Sequence, residues 1–556
     1  MDVCLSNSLV RWMLICTGTV SMAVACGDSG GEQPADTHQS GDLADTPVEP
    51  TDIHQSSDLA DTPVEPTDTG NQPDETEPDD ATKPPIIGSA DPDFPYQIPE
   101  SVILETVTVA IDSQDKSALH HAVYGFNTNV SGSAFGWDDA DYQAKIALLA
   151  PGSLRFPGGH AANYYRWKMN GEIFDSYQGW PQDGKRVDLA LKAFTAANRT
   201  VGLADYAQLV NDLGIEPVIL MNILTQEPAD AVEMLTDMKE MFQLSPKRIE
   251  LGNEIFLPGQ NNEDTATVQL YISYAETFAT AIHAVHPEVE IGLCIAPITK
   301  PLEEWNGPVG KATYYDAVMP HEYGYISGPE SEEKPTDIQK ITALLSGEQK
   351  VDGYVAGLKK QFPGKKVWAT EWNMLPNQKD ALNGTPAHAI FLASSLLQRL
   401  GHPDVYEAAN KHNLVAAYGT VANQQFDSNK STSETPFWLL FGQTLAGATG
   451  QLAVTLTNSQ VADWSFVHAH ARAFEAPGQI RVLFLNKLSF SKTLTLEVDG
   501  APWTGGGTAA SRGYTQLKTT PVISPTQSGI TTATFAGAQV TVPPYSLTEL
   551  VLNTGK

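Results

Sequence analysis

The sequence predicts an α/β protein: a (β/α)8 TIM barrel followed by a C-terminal antiparallel β-sandwich domain. Two patterns lead to this prediction. Between residues 113 and 449, short apolar runs that end in polar residues alternate with amphipathic helical stretches, as expected of parallel strands joined by helices. After Gly450 the helical periodicity stops, and apolar residues alternate with polar ones to the C-terminus, which is typical of antiparallel strands.

The candidate barrel strands follow one another at a spacing that leaves room for a helix after most of them. They are residues 122–129, 152–159, 216–223, 248–254, 290–297, 317–325, 366–373 and 414–419. Helical patterns lie between most of these runs, for example at 204–213, 229–242, 268–285 and 388–400. A doubly wound open sheet is the alternative, but no glycine-rich phosphate loop follows any of the strands, which favours the barrel.

The first 26 residues predict a lipoprotein signal peptide. Trp12 to Ala25 is a largely apolar run that is too short to span a bilayer and has the length of a signal-peptide core. Small residues immediately precede Cys26, as in the lipobox of bacterial lipoproteins, in which the cysteine carries the lipid after cleavage. We therefore expect lipidation of Cys26 and anchoring in the bacterial cell envelope, on the outer membrane or the cell surface.

Residues 27–100 predict a disordered acidic linker. Sixteen Asp or Glu and no Lys or Arg lie between Gly27 and Thr82, and "HQSGDLADTPVEPTD" from His38 recurs almost unchanged from His54. Such a segment cannot bury enough apolar surface to fold. The formal net charge of -32 argues against nucleic acid and anionic membranes as partners, since both require Lys and Arg. Membrane contact is expected only through the lipid anchor.

Two glutamates are the candidate catalytic pair. Glu254, in "IELGNE", ends the fourth strand, and Glu371, in "WATEWN", ends the seventh. The C-terminal ends of barrel strands share one mouth, where two carboxylates can act as proton donor and nucleophile across a glycosidic bond. The alternative for Glu254 is that it caps the helix after it, because carboxylates favour helix N-termini.

Four stretches, in this order, resemble a known enzyme family. "LRFPGGHAANYYRW", "LGNE", "TEWN" and "HAIFLASSLLQRLGHPDVYEAANKHNLVAAYGT" are most similar to α-L-arabinofuranosidases of glycoside hydrolase family 51, in the clan of retaining (β/α)8 glycoside hydrolases. The resemblance runs from about Tyr124 to the C-terminus. It implies a catalytic barrel over 113–449 and a β-sandwich domain over 450–556, with residues 101–112 as the candidate for a strand that joins the sandwich from before the barrel.

The resemblance also assigns roles to individual residues. Glu254 matches the general acid/base, Glu371 the nucleophile, and Asn253 the residue that binds the sugar hydroxyl next to the reacting carbon. The remaining candidates for substrate binding are polar or aromatic residues at the ends of strands: Arg155, His321, Tyr323, Asn127, Asn129, His160, Asn163 and Trp372.

Some of these candidates have a second interpretation. A buried Arg155 either holds the nucleophile ionised or forms a structural ion pair inside the barrel. Trp372, like the aromatic residues Tyr164, Tyr165 and Trp167 that follow "PGGHAAN", either stacks on a sugar face or packs in the core.

Two positions depart from the family's pattern. Asn129 stands where the family usually has a Glu that grips the arabinose, and His160 stands where it usually has Asn. Both are positions expected to read the sugar, so the resemblance implies the chemistry more firmly than the substrate. A related uronidase, xylosidase or endo-acting glycanase stays open.

The sequence therefore predicts a surface-anchored retaining glycoside hydrolase that cleaves extracellular polysaccharide or oligosaccharide by double displacement. Double displacement by two carboxylates needs no metal or organic cofactor. His120 and His121 lack a third ligand nearby, which argues against a metal site there. Asp138, Asp139 and Asp141 have the pattern of helix-start residues rather than of metal ligands. The alternative from another class is a non-catalytic glycan-binding surface lipoprotein.

Overall fold

The computed structural model describes residues 86–87, 91–128, 136–168, 202–257, 259–298, 303–324, 336–374, 382–416, 419–420, 422–423, 432–519 and 529–555. All of them belong to one compact unit, Asp80–Lys556. The predicted signal peptide with Cys26, most of the predicted linker, and Asn129 lie outside the described residues. Within the described ranges, no helix has both the length and the apolar character needed to cross a membrane.

Eight parallel strands form a closed barrel, which confirms the predicted fold class. The eighth strand closes the barrel on the first, with Asn410 opposite Gly125. Because all strands run in the same direction, their C-terminal ends share one rim. In chain order the strands are Gly125–Asn127, Ser153–Phe156, Glu216–Met221, Arg248–Leu251, Glu290–Cys294, a sixth strand in two parts (Ala317–Met319 and His321–Gly324), Lys366–Met374 and Tyr406–Lys411.

The eighth strand lies earlier in the chain than predicted. The sequence pattern favoured residues 414–419, whereas the barrel uses Tyr406–Lys411. This strand carries buried polar residues that hide the apolar alternation on which the prediction relied. Asn410 donates a hydrogen bond to a serine hydroxyl of the second strand at 3.0 Å, and the Lys411 ammonium lies 2.9 Å from the buried Glu434 carboxylate. Polar groups paired in this way can be buried without a large penalty.

Helices accompany the barrel strands, and local sequence sets their ends. The Thr267 hydroxyl accepts a hydrogen bond from the backbone of the first turn that follows it, and Gly214 ends its helix at a φ of 65°, where the lack of a Cβ avoids strain. The four helices quoted from the sequence agree closely with the structure. The described helices of the barrel are Ala140–Leu149, Leu203–Leu213, Pro228–Glu240, Val268–Val285, Glu303–Val309, Asp337–Leu345, Gly347–Gln361, Pro386–Leu400 and Thr435–Leu445.

The C-terminal domain is a ten-stranded sheet that encloses a second apolar core, as the predicted sandwich requires. All pairings described for it are antiparallel except one, between Lys492–Val498 and Val107–Ser117. Its strands are Val107–Ser117, Gly450–Thr457, Ala469–Ala476, Gln479–Asn486, Lys492–Val498, Ala501–Pro502, Gly506–Arg512, Thr531–Ala536, Gln539–Val542 and Ser546–Asn553. Among the described residues, two short strand pairs lie outside both sheets: Ile86–Ile87 with Ile98–Pro99, and Val415–Ala416 with Ala422–Asn423.

The sandwich strand that precedes the barrel starts later than the predicted range of 101–112. Glu100–Leu104 is helical, and the strand runs from Val107 to Ser117. Pro99 sets the φ of -61° at the N-cap, and Glu100 places a carboxylate in the first turn, where the helix dipole favours it. The apolar residues 102–104 therefore belong to a helical turn rather than to the strand.

Residues 91–100, which the sequence pattern assigned to the linker, pack on the folded unit. Phe94 is only 6% exposed, and its ring lies edge-on to Trp464 with the centroids 5.4 Å apart. The Asp91 carboxylate accepts a hydrogen bond from the backbone N–H of Leu517 at 2.9 Å. The acidic composition that predicted the linker ends near Thr82, and the apolar residues after it supply these contacts.

Candidate active site

The structure brings Glu254 and Glu371 together at the C-terminal rim of the barrel. Glu371 lies in the seventh strand, in register with His321 of the sixth, and Glu254 lies in the turn after the fourth. The His321 Nδ1 is 2.8 Å from Glu254 Oε1 and 3.5 Å from Glu371 Oε2. One oxygen of each carboxylate and one nitrogen of the imidazole all lie within 4.8 Å of one another. This proximity is what an acid and a nucleophile acting on one bond require.

The turn that carries Glu254 is conformationally unusual. Gly252 has a φ of 80°, and a Cβ at that position would lie 2.6 Å from the Ile255 side chain. Glu254 itself has a φ of 47°, in the left-handed region that a residue with a Cβ rarely adopts. The Gln260 amide holds the carboxylate by donating to its Oε2 at 3.0 Å. The next helix is capped by Thr267, so Glu254 is not its cap.

Three donors surround the Glu371 carboxylate. The Arg155 guanidinium donates to Oε1 at 2.7 Å, the Tyr323 hydroxyl donates to Oε2 at 2.8 Å, and the Asn127 amide donates to Oε1 at 3.3 Å. All three come from barrel strands, which fix their positions. Such donors favour the ionised form of a carboxylate and fix its orientation.

These contacts set the protonation of the site. Burial would raise the pKa of Glu371, but the charges of His321 and Arg155 and the hydrogen bond from Tyr323 act against burial, and the pKa lies well below its usual range. Burial also acts to raise the pKa of Glu254, yet the hydrogen bond and charge of His321 lower it further than burial raises it.

Both rim carboxylates affect the pKa of His321. Burial acts to lower its pKa, whereas the charge of Glu371 and the hydrogen bond and charge of Glu254 raise the pKa above its ordinary value. Both shifts favour a protonated His321 that donates from Nδ1 to an ionised Glu254, next to an ionised Glu371.

Arg155 contacts a carboxylate inside the barrel and a carboxylate at the rim. It is fully buried, and its Nε donates to Glu250 at 2.9 Å while its Nη1 contacts Glu371. Its Nη2 donates to the Asn253 side chain at 2.9 Å. One cation thus forms a structural ion pair in the barrel and fixes two residues of the candidate site.

Asn253 is held from several sides. The Asn163 amide donates to its backbone carbonyl at 2.9 Å and accepts from its backbone N–H at 2.8 Å. Because Asn163 is buried, it positions Asn253.

His160 lies next to Glu254. Its Nδ1 is 3.7 Å from Glu254 Oε2, and its side chain is one-third exposed.

Trp372 corrects a predicted substrate contact. Strand alternation points its side chain away from Glu371, and it is only 1% exposed. The Arg399 guanidinium stacks over its ring at 4.3 Å, and Trp438 contacts it edge-on. Trp372 therefore packs behind the strand and does not face a substrate. The aromatic residues that follow "PGGHAAN" are also buried, as the packing alternative requires: Tyr164, Tyr165 and Trp167.

Sequence reasoning missed two polar residues of the site, Gln260 and His412. The His412 Nδ1 is 2.8 Å from Asn127 Nδ2 and 3.5 Å from Glu371 Oε2. It follows the eighth strand directly, so the misplacement of that strand concealed it. The polar residues that end "VYEAANKHN" were the available signal.

The described residues contain one cluster with the side chains to hold a metal ion: Glu254, His321 and Glu371. The Arg155 guanidinium already neutralises Glu371, so the arrangement suits proton transfer and nucleophilic attack better than cation binding. Asp139 is the N-cap of the helix Ala140–Leu149, and its carboxylate accepts a hydrogen bond from the backbone N–H of Tyr142. The prediction that Asp139 starts a helix is thus confirmed.

Comparison with known proteins gives a fold relationship. No family model matches the sequence, and no curated protein matches it. A GH51 arabinofuranosidase from Xanthomonas axonopodis pv. citri has 15% identity and a TM-score of 0.60, over 80% of this chain and 99% of that chain.

Two further solved structures show the same relationship. A family 51 α-L-arabinofuranosidase from Bifidobacterium longum has 15% identity and a TM-score of 0.62, over 80% of this chain and 99% of that one. A glycoside hydrolase family 44 xyloglucanase from Paenibacillus polymyxa has 14% identity and a TM-score of 0.54, over 81% of this chain and 100% of that one. The fold that the sequence resemblance implied is thus confirmed.

Proposed function

We propose that the protein is a retaining glycoside hydrolase of the α-L-arabinofuranosidase type. The observation that carries the proposal is the pair Glu254 and Glu371 on one barrel rim, linked through His321. The shared fold with family 51 arabinofuranosidases supports it, as does the position of each carboxylate, after the fourth strand and in the seventh.

In the first step Glu371 attacks the anomeric carbon and Glu254 protonates the leaving oxygen. The bond to the leaving group breaks as a covalent glycosyl–enzyme ester forms. Arg155, Tyr323 and Asn127 hold the attacking carboxylate ionised and oriented.

In the second step Glu254 takes a proton from water, which attacks the anomeric carbon and releases Glu371. In the free site His321 holds the pKa of Glu254 below its ordinary value, and the charge of Glu371 opposes that lowering. Formation of the ester removes that charge, so the pKa of Glu254 falls after the first step. The same carboxyl group therefore changes from acid to base as the reaction proceeds.

The proposed substrate is a polysaccharide or oligosaccharide with arabinofuranosyl groups. The four stretches that resemble family 51 support this choice. Fold similarity to a xyloglucanase makes endo-action on a glucan backbone the second candidate. His160, beside Glu254, is the described residue at which the sugar-reading part of the site departs from the family's pattern.

The proposed location is the outer membrane or cell surface, through lipid on Cys26. This part rests on the sequence, where small residues precede the cysteine. Replacement of Cys26 by Ser should abolish labelling with a palmitate analogue in a bacterial host and release the protein from the membrane fraction. Retained labelling would refute the anchor.

A panel of aryl glycosides tests the activity: arabinofuranoside, xyloside, glucuronide and galactoside, with arabinan, arabinoxylan and xyloglucan as polymers. We expect hydrolysis of the arabinofuranoside, with Glu371→Gln as the inactive control. Hydrolysis of xyloglucan alone would favour the endo-acting candidate. If no substrate is hydrolysed and the protein binds a polymer, the result would identify a non-catalytic glycan-binding protein.

A further inference from the structure

His412 lies beside the proposed nucleophile and is fixed by the backbone of the neighbouring strand. Its N–H donates to the carbonyl of Trp372 at 3.0 Å, and its own carbonyl accepts from the Asn373 amide. Its ring lies edge-on to Tyr323, with the centroids 6.1 Å apart. The imidazole is thus held in one place at the rim, and four-fifths of its side chain is buried.

The contacts of Asn127 determine which imidazole nitrogen carries the proton. The Asn127 amide nitrogen has two hydrogens, and it lies 3.3 Å from Glu371 Oε1 and 2.8 Å from His412 Nδ1. The reverse orientation of the amide would place its carbonyl oxygen against the ionised carboxylate. The Asn127 nitrogen therefore donates to both neighbours, so Nδ1 of His412 must accept with a lone pair and Nε2 carries the proton.

The charges around His412 are consistent with a neutral ring. Burial lowers the pKa of His412 to about 4, although the nearby carboxylate acts against this. The titratable and charged groups that face it are Glu371, Arg155, His321, Lys411 and Tyr323.

We propose that His412, as the neutral Nε2–H tautomer, is a positioning residue for the nucleophile. It accepts one hydrogen of the Asn127 amide, so the other hydrogen points at Glu371 Oε1 while Tyr323 holds Oε2. Protonation of Nδ1 removes the acceptor, frees the amide to rotate and leaves Glu371 less well oriented. This role deepens the proposed glycosidase function and rests on it.

Two substitutions separate positioning from packing. His412→Asn places an amide oxygen near the position of Nδ1 and cannot titrate, whereas His412→Leu keeps apolar volume and offers no acceptor. Because a misplaced reacting group can cost about 100-fold in rate, we expect His412→Leu to lower kcat by about 10- to 100-fold with little change in KM. His412→Asn should retain most of kcat, and the acid limb of its pH profile should lie at lower pH. His402→Asn, away from the site, is the matched control, and thermal melts check that each variant folds.

Equal kcat and an unchanged pH profile in His412→Leu would overturn the positioning role. A second measurement does not need activity: histidine ¹⁵N NMR at neutral pH, with the His412 signals identified by their loss in His412→Asn. We expect an unprotonated Nδ1 and a protonated Nε2, and a rise in the pKa of His412 in Asn127→Leu. A protonated Nδ1 in the wild-type protein would overturn the inference whether or not any glycoside is hydrolysed. Inactivity on every glycoside with the expected tautomer would instead overturn the proposed function and, with it, the role in catalysis.

Discussion

The Arg155 guanidinium joins Glu371 at the rim to Glu250 inside the barrel, with Nη1 2.7 Å from Glu371 Oε1 and Nη2 2.8 Å from Glu250 Oε2. One buried cation therefore contacts two buried carboxylates. Stability and protonation of the site are coupled through this one side chain, because Arg155 forms both buried ion pairs and its charge helps to lower the pKa of Glu371.

Replacement of Arg155 by Met should affect both properties. Loss of one partner from a buried ion pair costs about 3–5 kcal/mol, so the free energy of unfolding in urea should fall by that order. The charge of Arg155 helps to lower the pKa of Glu371; without it that pKa rises, and the acid limb of kcat/KM should move to higher pH. We also expect kcat/KM to fall by about 100-fold, as when an oriented electrostatic contact is lost.

Arg399→Met is the matched control for this prediction. Arg399 is another buried arginine. Its Nη2 lies 2.6 Å from Oε2 of Glu322, which follows His321 in the sixth strand. Arg399→Met should lower the free energy of unfolding by a comparable amount and leave the acid limb of kcat/KM at the same pH. A similar pH shift in both variants would mean that the effect of Arg155 is merely structural.

The start of the folded unit can be mapped by truncation. A chain that begins at Lys83 keeps Asp91 and Phe94, and its melting temperature should equal that of the full-length protein. A chain that begins at Thr106 loses the Phe94 contacts with Trp464, and loss of a buried Phe side chain alone costs about 3–5 kcal/mol. Calorimetry should therefore show a clear drop for the shorter chain, and equal melting temperatures would contradict the packing described for residues 91–104.

The sequence was informative where polarity changed abruptly along the chain. Glu254 and Glu371 each follow an apolar run, so strand ends and the rim could be predicted together. The eighth strand was misplaced because Asn410 and Lys411 are buried and satisfied by partners distant in sequence. No local pattern records such pairing, and His412 was missed with the strand that carries it.

Trp372 shows the opposite error. An aromatic residue next to the predicted nucleophile suggests sugar stacking, yet alternation along a strand places neighbouring side chains on opposite faces. Since Glu371 faces the barrel mouth, the same alternation places the Trp372 ring on the core side of the strand. What the sequence could not supply was Arg399, whose stacking over Trp372 depends on how a helix packs against the barrel.

A buried ion pair joins the barrel to the C-terminal sheet. Lys487 Nζ lies 2.6 Å from Glu348 Oε2, and both side chains are almost fully buried. Lys487→Met should lower the free energy of unfolding by about 3–5 kcal/mol because it leaves the carboxylate unpaired. The double variant Lys487→Met/Glu348→Leu should recover part of this loss, with a coupling energy of about 0.5–3 kcal/mol in urea titrations. Additive losses would show that the two groups are not energetically linked.

The two rim carboxylates should be distinguishable by chemical rescue. Glu371→Ala cannot form the glycosyl–enzyme, so it should fail even on a dinitrophenyl glycoside, whose leaving group departs without a proton. Glu254→Ala should still form the intermediate from that substrate and then stall, because no base activates water. Azide needs no base, so it should restore turnover of Glu254→Ala and yield a glycosyl azide with the anomeric configuration of the substrate. NMR of the product determines that configuration, and Glu250→Gln, which removes the other carboxylate bound by Arg155, should show no azide rescue. Rescue of Glu371→Ala with inverted product would exchange the two assigned roles, and full activity in both alanine variants would leave the pair with a structural role alone.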